Sequence, residues 1–295
     1  MKKDRIDALA VSALVMFSLL MGLNQVMIKL VNAGFSPAFQ AGLRSLCAFG
    51  PVLIFALITR RKLSITDGTL VPGIVIGLLF SAEFILLFNA LEFTSVNRAS
   101  VLFYTMPIWV ALAAHFLIPG ERLTPRRSLG LAIAMGGVVL AMLDKAPRVG
   151  PDAWIGDLMS LIGAGLWATL ALCLRVTRLR DADPEMQLLY QLGISAVVLL
   201  AVAPAFGPLI REVTPLILGI FTFQVLVVVC VGFLSWFWIL RIYPASDMAA
   251  FSFLAPVFGV IASWLILGEQ ISLAIWSALV LVSIGISLVS WRPRQ

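Results

Sequence analysis

The sequence predicts an all-α polytopic membrane protein in which ten transmembrane helices form two inverted five-helix repeats. Three observations lead to this prediction: the apolar composition, a regular succession of apolar runs, and a match between the two halves of the chain. Of the 295 residues, 61% are hydrophobic and only 12% are charged, against roughly a quarter in soluble domains. A water-soluble fold of this length would lack the polar residues that its surface needs.

Ten apolar runs separated by turn-forming or charged residues give the number of spans. A helix needs about 20 apolar residues to cross the hydrocarbon core of a bilayer, and ten such helices with short loops use the whole chain. Glycine, proline and charge clusters mark the breaks. The predicted spans are 8–30, 36–59, 68–91, 96–117, 124–143, 153–174, 185–206, 214–239, 244–267 and 271–290.

The basic residues at the ends of these spans predict the orientation of the chain. With a cytoplasmic N-terminus, fifteen of the 21 lysines and arginines fall on the cytoplasmic side and five on the other, while Arg44 lies inside a span. Cytoplasmic loops of membrane proteins carry such an excess of positive charge. Both termini are therefore predicted to be cytoplasmic, and the net charge of +6 indicates membrane topology rather than nucleic-acid binding.

The two halves of the chain repeat each other. Pro107 matches Pro256, Gly120-Glu121 matches Gly268-Glu269, Pro37-Ala38-Phe39-Gln40 matches Pro184-Glu185-Met186-Gln187, and Gly22-Leu23 matches Gly165-Leu166. We therefore divide the chain into repeats 1–147 and 148–295. Because each repeat has five spans, an odd number, the second lies upside down relative to the first. Repeats of this kind place a substrate site near the membrane midplane and alternate access by rocking of the halves.

Several short motifs resemble those of one known family. The chain resembles the drug/metabolite transporter superfamily, specifically its ten-helix EamA type, over essentially its whole length. Met21 departs from the family pattern, which usually has tryptophan there. The motifs are Gly22-x-Asn24 followed by Lys29, Pro37 followed by Arg44, Gly120-Glu121-Arg122-Leu123-Thr124-Pro125, Gly156-Asp157-Leu158 and Trp167-Ala168.

Within that superfamily the chain is similar to bacterial YddG-type amino-acid exporters. The resemblance implies export of amino acids, aromatic ones included, or of related small metabolites across the bacterial inner membrane. It places the cavity between spans 1, 3, 4, 6, 8 and 9. A flippase for a lipid-linked intermediate is the alternative that the same architecture supports. The expected partners are a small-molecule substrate and the lipid bilayer, without nucleic acid; the oligomeric state stays open.

Two ionisable residues inside predicted spans are candidates for the substrate site. Charged groups in a bilayer are costly and commonly functional. Arg44 in span 2 and Glu83 in span 3 both lie roughly 12 Å from the same membrane face, at 1.5 Å per residue. Two interpretations stay open: the residues form a structural ion pair, or they face the cavity and bind the carboxylate and ammonium groups of a zwitterion.

Polar and aromatic residues complete the predicted cavity. Asn24 either orients substrate or bonds a neighbouring helix. Phe84 belongs to a stripe with Phe80 and Phe88 that either lines the cavity or packs against lipid or other helices. The remaining candidates are Asn89, Tyr104 beside the proline of span 4, and Trp167 deep in span 6.

The paired prolines Pro107 and Pro256 are the predicted hinges, because proline removes a hydrogen bond from the helix that contains it. An intramembrane enzyme is not expected: the chain has a single histidine, His115, for which we predict a structural role, and neither a zinc motif nor paired membrane aspartates. No cofactor or metal is expected either, and the absence of a phosphate-binding loop argues against ATP-driven transport by this chain alone.

Overall fold

A computed structural model of the chain describes residues 8–118, 123–144, 150–233, 235 and 254–290. Helices dominate these residues, and the only strand-like feature among them is an isolated bridge between Phe35 and Ile210. The helices are α1 (Ala8–Val31), α2 (Pro37–Ile58), α3 (Leu70–Phe93), α4 (Val96–Phe103), α5 (Met106–Leu117), α6 (Pro125–Leu143), α7 (Ala153–Val176), α8 (Pro184–Val202), α9 (Pro215–Phe223), α10 (Leu254–Leu267) and α11 (Leu273–Ser290). A π-helical segment, Gln224–Gly232, continues α9.

The helices confirm the predicted architecture. Within the described residues, eight helical segments are long and apolar enough to span a bilayer, and two shorter apolar helices follow them at Leu254–Leu267 and Leu273–Val289. Together they coincide with the ten predicted spans. Parts of predicted spans 8 and 9, as well as both chain termini and the Gly120-Glu121 motif, lie outside the described residues.

Successive spans run in opposite directions through the bundle. We call the end at which α1 begins the proximal end and the opposite end the distal end. Helix α1 therefore ends distally, and α11 starts distally and ends on the proximal side. The predicted inversion of the second repeat follows, since α7 opens that repeat at the distal end.

Helices of the first half pack mainly against helices of the second half. Helix α1 packs on α10, α2 on α8, α3 on α7 and α8, and α6 on α11. Small residues permit this close approach, as is usual between membrane helices. A Cβ atom on Gly22 would lie 2.6 Å from the backbone nitrogen of Gly259, and one on Gly137 would lie 2.9 Å from the carbonyl oxygen of Ala278.

Span 4 is broken near its middle. Helix α4 ends at Phe103 and α5 begins at Met106, with Pro107 in the first turn of α5, where its missing N–H breaks no helical hydrogen bond. The proline thus lies beside a break, and its role as a hinge stays a prediction. Pro256 is buried near the start of α10 as described, and residues 236–253 before it lie outside the described part.

A cluster of buried charges ties the distal end together, and we call it the distal cluster. Arg98 in the first turn of α4 donates through Nε to both carboxylate oxygens of Asp157 on α7, at 3.1 and 3.2 Å. Asp144 lies 3.6 Å from the same guanidinium, and the Thr94 hydroxyl donates to Asp157 at 2.7 Å. Arg98 is only 4% exposed and Asp157 only 1%.

A second distal contact links the two repeats through Glu269, in the segment before α11. Its carboxylate accepts from the backbone N–H groups of Val96 and Asn97 at 2.9 and 3.0 Å. It also pairs with Lys29 of α1 at 3.2 Å. A carboxylate at a helix N-terminus satisfies free N–H groups and complements the helix dipole. In its second copy, the repeated Gly-Glu motif therefore has a structural role, because Glu269 joins α1 to the start of α4.

Candidate functional site

A polar cluster lies in the centre of the bundle, where α1, α2 and the π-helical segment meet. The side-chain oxygen of Asn24 accepts two hydrogen bonds, from Arg44 at 3.4 Å and from Gln224 at 3.3 Å. Gln224 in turn accepts from Gln40 at 3.3 Å. These four residues, which we call the central cluster, join spans 1, 2 and 8 and therefore both repeats.

Aromatic rings of α3 hold the Arg44 guanidinium. Its central carbon lies 4.7 Å from the ring centroid of Phe84 and 4.8 Å from that of Phe88. The rings of Phe80 and Phe84 are themselves 4.0 Å apart. A guanidinium over an aromatic face is attracted by the negative potential of the ring. The predicted phenylalanine stripe therefore faces a cation inside the bundle rather than lipid.

Glu83 approaches this cluster from α3 but takes no part in its hydrogen bonds. The residue is 1% exposed, and its Oε2 atom has no hydrogen-bond partner among the described residues. Arg44 and Glu83 interact electrostatically, yet they form no salt bridge in the part of the chain that the structure describes. The two residues therefore do not form the closed ion pair of the first interpretation, and the second, binding of a zwitterion, stays a prediction.

Span 8 supplies a member of the central cluster that the sequence analysis did not select. Gln224 is fully buried and starts the π-helical segment. Single π-turns within α-helices are rare and occur frequently at functional sites. The sequence signal for Gln224 was an amide residue within a long apolar run. Its partner Gln40 differs from Gln187, the equivalent residue of the second repeat, because Gln187 donates to backbone carbonyls near its own helix.

Two of the predicted aromatic residues lie against the same apolar core as the phenylalanine stripe. Trp167 packs against the buried cluster that contains Phe80, Phe84 and Phe103. Tyr104 is 7% exposed at the break between α4 and α5, with its ring 5.8 Å from that of Phe103. The structure thus brings Arg44, Asn24 and Phe84 together and places Trp167 against the apolar core that contains Phe84.

Asn89 does not join the central cluster. Its side-chain nitrogen donates to the carbonyl oxygen of Ile85, one turn earlier on the same helix, at 2.7 Å. His115 also has a local partner, because its Nδ1 atom accepts from the backbone N–H of Leu123 at 3.1 Å. This bond agrees with the structural role expected for the histidine. No group of three or more metal-binding side chains occurs among the described residues.

The two repeats contribute different chemistry at equivalent positions. In the match that pairs Gly22 with Gly165, Asn24 corresponds to Trp167. In the match that pairs Pro37 with Pro184, Arg44 corresponds to Gln191, which donates to a carbonyl of its own helix. At these two pairs of positions, the first repeat therefore places a polar and a charged side chain in the central cluster, whereas the second has Trp167 and an amide that bonds within its own helix.

Among the described residues, eight spanning helices and two shorter apolar ones enclose a buried polar cluster, an arrangement that is typical of membrane transporters. The chain belongs to the EamA-like transporter family, because the model of that family matches residues 8–143 and again 154–291. The two matches cover one five-span unit each. Members of this family are transporters, and the coarse function of the chain is accordingly membrane transport.

Relatives along the whole chain agree with this assignment. The chain is 27% identical to "Uncharacterized transporter YoaV" of Bacillus subtilis, over 91% of this chain and 92% of that protein. It is 25% identical to "Probable amino-acid metabolite efflux pump" of Escherichia coli, over 92% of each chain. A solved structure described only as "Crystal structure of protein" has a TM-score of 0.68 at 20% identity, covering 94% of this chain and 97% of the other; this likeness shows the fold alone.

Proposed function

We propose that the chain exports amino acids, aromatic ones included, or related small metabolites by alternating access. The observation that supports this best is the central region, where buried Arg44 and Glu83 interact without closing into a salt bridge. A buried guanidinium and a buried carboxyl group that are not bonded to each other complement a molecule that carries both a carboxylate and an ammonium group. The efflux-pump name of the Escherichia coli relative points in the same direction.

The chemistry of the region suggests how an amino acid binds. The guanidinium of Arg44, oriented by Asn24, offers N–H donors that match a carboxylate. The free carboxylate oxygen of Glu83 offers an acceptor for the ammonium group. The side chain of the substrate then lies against Phe84 and Trp167, which accept apolar and aromatic groups without strict shape.

Transport requires that this site opens to each side in turn. In our proposal the units that move are the repeats 1–147 and 148–295. The break beside Pro107 in span 4 is one hinge, and the equivalent position at Pro256 in span 9 is the other. Tyr104 at the break and Asn89 farther along α3 stay candidate contacts of the substrate during this movement.

We further propose that the proximal end faces the cytoplasm, with both termini on that side of the bacterial inner membrane. The excess of basic residues in the loops of that end supports this orientation. Reporter fusions after the C-terminus test it. A fluorescent protein that folds only in the cytoplasm is expected to fluoresce there, and activity of a periplasmic phosphatase fusion would contradict the orientation.

Flux measurements on the purified chain in proteoliposomes test the substrate. We expect exchange of phenylalanine, tryptophan and leucine, and weak exchange of lysine and glutamate. Arg44→Gln is expected to reduce phenylalanine exchange at least tenfold while the folded yield stays within twofold of wild type. Arg180→Gln is the matched control, because Arg180 is 68% exposed in its ion pair with Asp181, and it is expected to leave the flux unchanged.

Two results would contradict this function. Absence of amino-acid flux under any gradient removes the proposed substrate class, and transfer of a lipid-linked sugar between leaflets would favour the flippase instead. If Arg44→Gln leaves flux intact but lowers the folded yield, the residue is structural.

A further inference from the structure

Glu83 differs from the other described membrane carboxylates in having no bonded cation. Asp157 has Arg98, Glu269 has Lys29, and Glu185 at the proximal end has Arg61 at 3.0 Å. Glu83 is as buried as Asp157, at 1% exposure each. Its Oε2 atom nevertheless lacks any hydrogen-bond partner among the described residues.

Helix α3, which carries Glu83, packs against α1, α2, α4, α7, α8 and the short turn Arg178–Asp181. Of the charged groups on these elements, Arg44 of α2 is the one that interacts electrostatically with Glu83. The remaining titratable groups on these elements, with Tyr104 directly after α4, are Lys29, Cys47, Arg98, Tyr104, Asp157, Cys173, Arg175, Arg178, Arg180, Asp181, Glu185 and Tyr190.

Arg44 does not neutralise Glu83 through a bond. Its guanidinium donates to Asn24 and lies over the rings of Phe84 and Phe88, so its hydrogen-bonding direction is set by other partners. An ionised carboxylate buried without a bonded partner is strongly disfavoured. A proton on Glu83 removes this cost, because the protonated carboxylic acid is neutral.

We propose that Glu83 is a proton-exchange site, in which a proton and the ammonium group of the substrate compete for one carboxylate. This proposal rests on the proposed function and adds the coupling to it. It couples transport of the substrate to the proton gradient at Glu83 itself, without a histidine relay.

The exchange balances in atoms and charge. When an ammonium group R–NH₃⁺ binds, the O–H bond of the Glu83 carboxylic acid breaks and its proton passes to water. The carboxylate that remains accepts hydrogen bonds from the ammonium group, and no electron pair moves to another molecule. On the opposite side of the membrane, a proton binds the carboxylate and the ammonium group leaves.

This competition also determines the direction of net transport. The carboxylate is occupied by a proton or by substrate, so the two cross the membrane in opposite directions. Where protons are more concentrated outside the cell, protons move inward and substrate moves outward. Through competition at Glu83, the proton gradient thus drives net export of the substrate, a property that the amino-acid sequence could not indicate.

Infrared spectroscopy of the purified full-length chain tests the protonated state directly. We expect the carbonyl band of a protonated carboxylic acid at neutral pH in wild type, its loss in Glu83→Gln, and its shift in Glu83→Asp. Glu92→Gln is the matched control on the same helix, because Glu92 pairs with Arg211 at 3.1 Å with both side chains about one-third exposed. The band is expected to persist in that variant.

Proton release on ligand binding tests the competition. In weakly buffered solution, L-phenylalanine and phenethylamine are each expected to release about one proton per protein, and 3-phenylpropionate, which lacks the ammonium group, none. Glu83→Gln is expected to release none with any of the three, whereas Glu92→Gln behaves as wild type. In proteoliposomes, a pH gradient is expected to drive phenylalanine uphill through wild type.

The outcomes separate this proposal from the proposed function. Phenylalanine exchange without proton release, or a wild-type spectrum without the Glu83 band, overturns the coupling and leaves amino-acid transport in place. Absence of phenylalanine flux overturns the proposed substrate, and phenethylamine then decides the coupling. A carboxyl band with no proton release by either ammonium compound overturns the exchange as well. If Glu83→Gln fails to fold, Glu83→Asp supplies the spectral assignment.

Discussion

The distal cluster and the centre of the bundle each contain a buried arginine and a buried carboxyl group, but only at the distal end are the two bonded to each other. At the distal end, Arg98 bonds both oxygens of Asp157 and has Asp144 nearby. In the centre, Arg44 bonds an amide oxygen and two aromatic rings, and Glu83 keeps a buried oxygen without a partner. Both arginines are 4% exposed, so burial alone does not distinguish the two regions.

The difference shows how a buried charge serves structure in one place and binding in another. A buried pair contributes to specificity of packing when every donor and acceptor is matched, and removal of one partner is costly. A group left unmatched keeps its bonding capacity for a ligand or a proton. The exposed fraction of each residue does not distinguish a structural charge from a binding one, whereas its hydrogen bonds and ion pairs do.

The largest expected effect comes from breaking the distal cluster. Asp157→Asn keeps the size of the side chain but removes the charge that balances Arg98 and replaces an acceptor oxygen by a donor. Removal of one partner of a buried pair costs about 3–5 kcal/mol, so we expect a large loss of folded yield and a lower Tm. Size-exclusion chromatography and thermal melting of the detergent-purified chain measure both.

The control for that variant is Asp181→Asn, which changes a carboxylate that is 73% exposed. It is expected to leave Tm within the error of measurement. Glu83→Gln provides the comparison with the centre, and we expect it to keep or raise Tm, because it removes an unpaired acid. A larger loss of stability from Glu83→Gln than from Asp157→Asn would contradict the contrast between the clusters.

The architecture was predictable because composition and period act along the whole chain. Apolar runs of about 20 residues and two matching halves predict ten spans in two units, and the helices of the described residues lie within or near these predicted spans. Arg44 and Glu83 were predictable as candidates because an ionisable residue in an apolar run is rare. Asn24 and Phe84 were also placed near them by the structure.

The partners of these residues were not predictable, because they come from other spans. Asp157 was predicted only as part of a family motif, and the structure buries it with Arg98 of α4 as one ion pair. Gln224 lies 200 positions from Asn24, and no local pattern connects them. A single sequence records which residues are unusual for a bilayer, whereas contacts between helices determine how each is satisfied.

An intermediate effect is expected where α6 packs on α11. Gly137 faces the carbonyl oxygen of Ala278, while the adjacent Gly136 faces open space. Gly137→Ala forces the two helices apart, and such overpacking costs about 1–3 kcal/mol. Gly136→Ala meets nothing and is expected to be neutral or slightly stabilising, since alanine favours helix over glycine. Thermal melting of the two variants side by side measures the difference; equal Tm values would contradict this packing.

The smallest expected effect concerns the aromatic support of Arg44. Phe88→Leu keeps an apolar side chain in a fully buried position but removes the ring 4.8 Å from the guanidinium. A cation–π contact contributes about 1 kcal/mol, which corresponds to roughly a fivefold rise in KM for phenylalanine exchange. Phe80→Leu, in the same stripe but without a described contact to Arg44, controls for the loss of ring volume. If both variants raise KM equally, the stripe acts through packing alone. If only Phe88→Leu raises KM, the Phe88 ring orients the Arg44 guanidinium for the substrate. The ring would then do for binding what the distal carboxylates do for the fold, where they hold the Arg98 guanidinium in place.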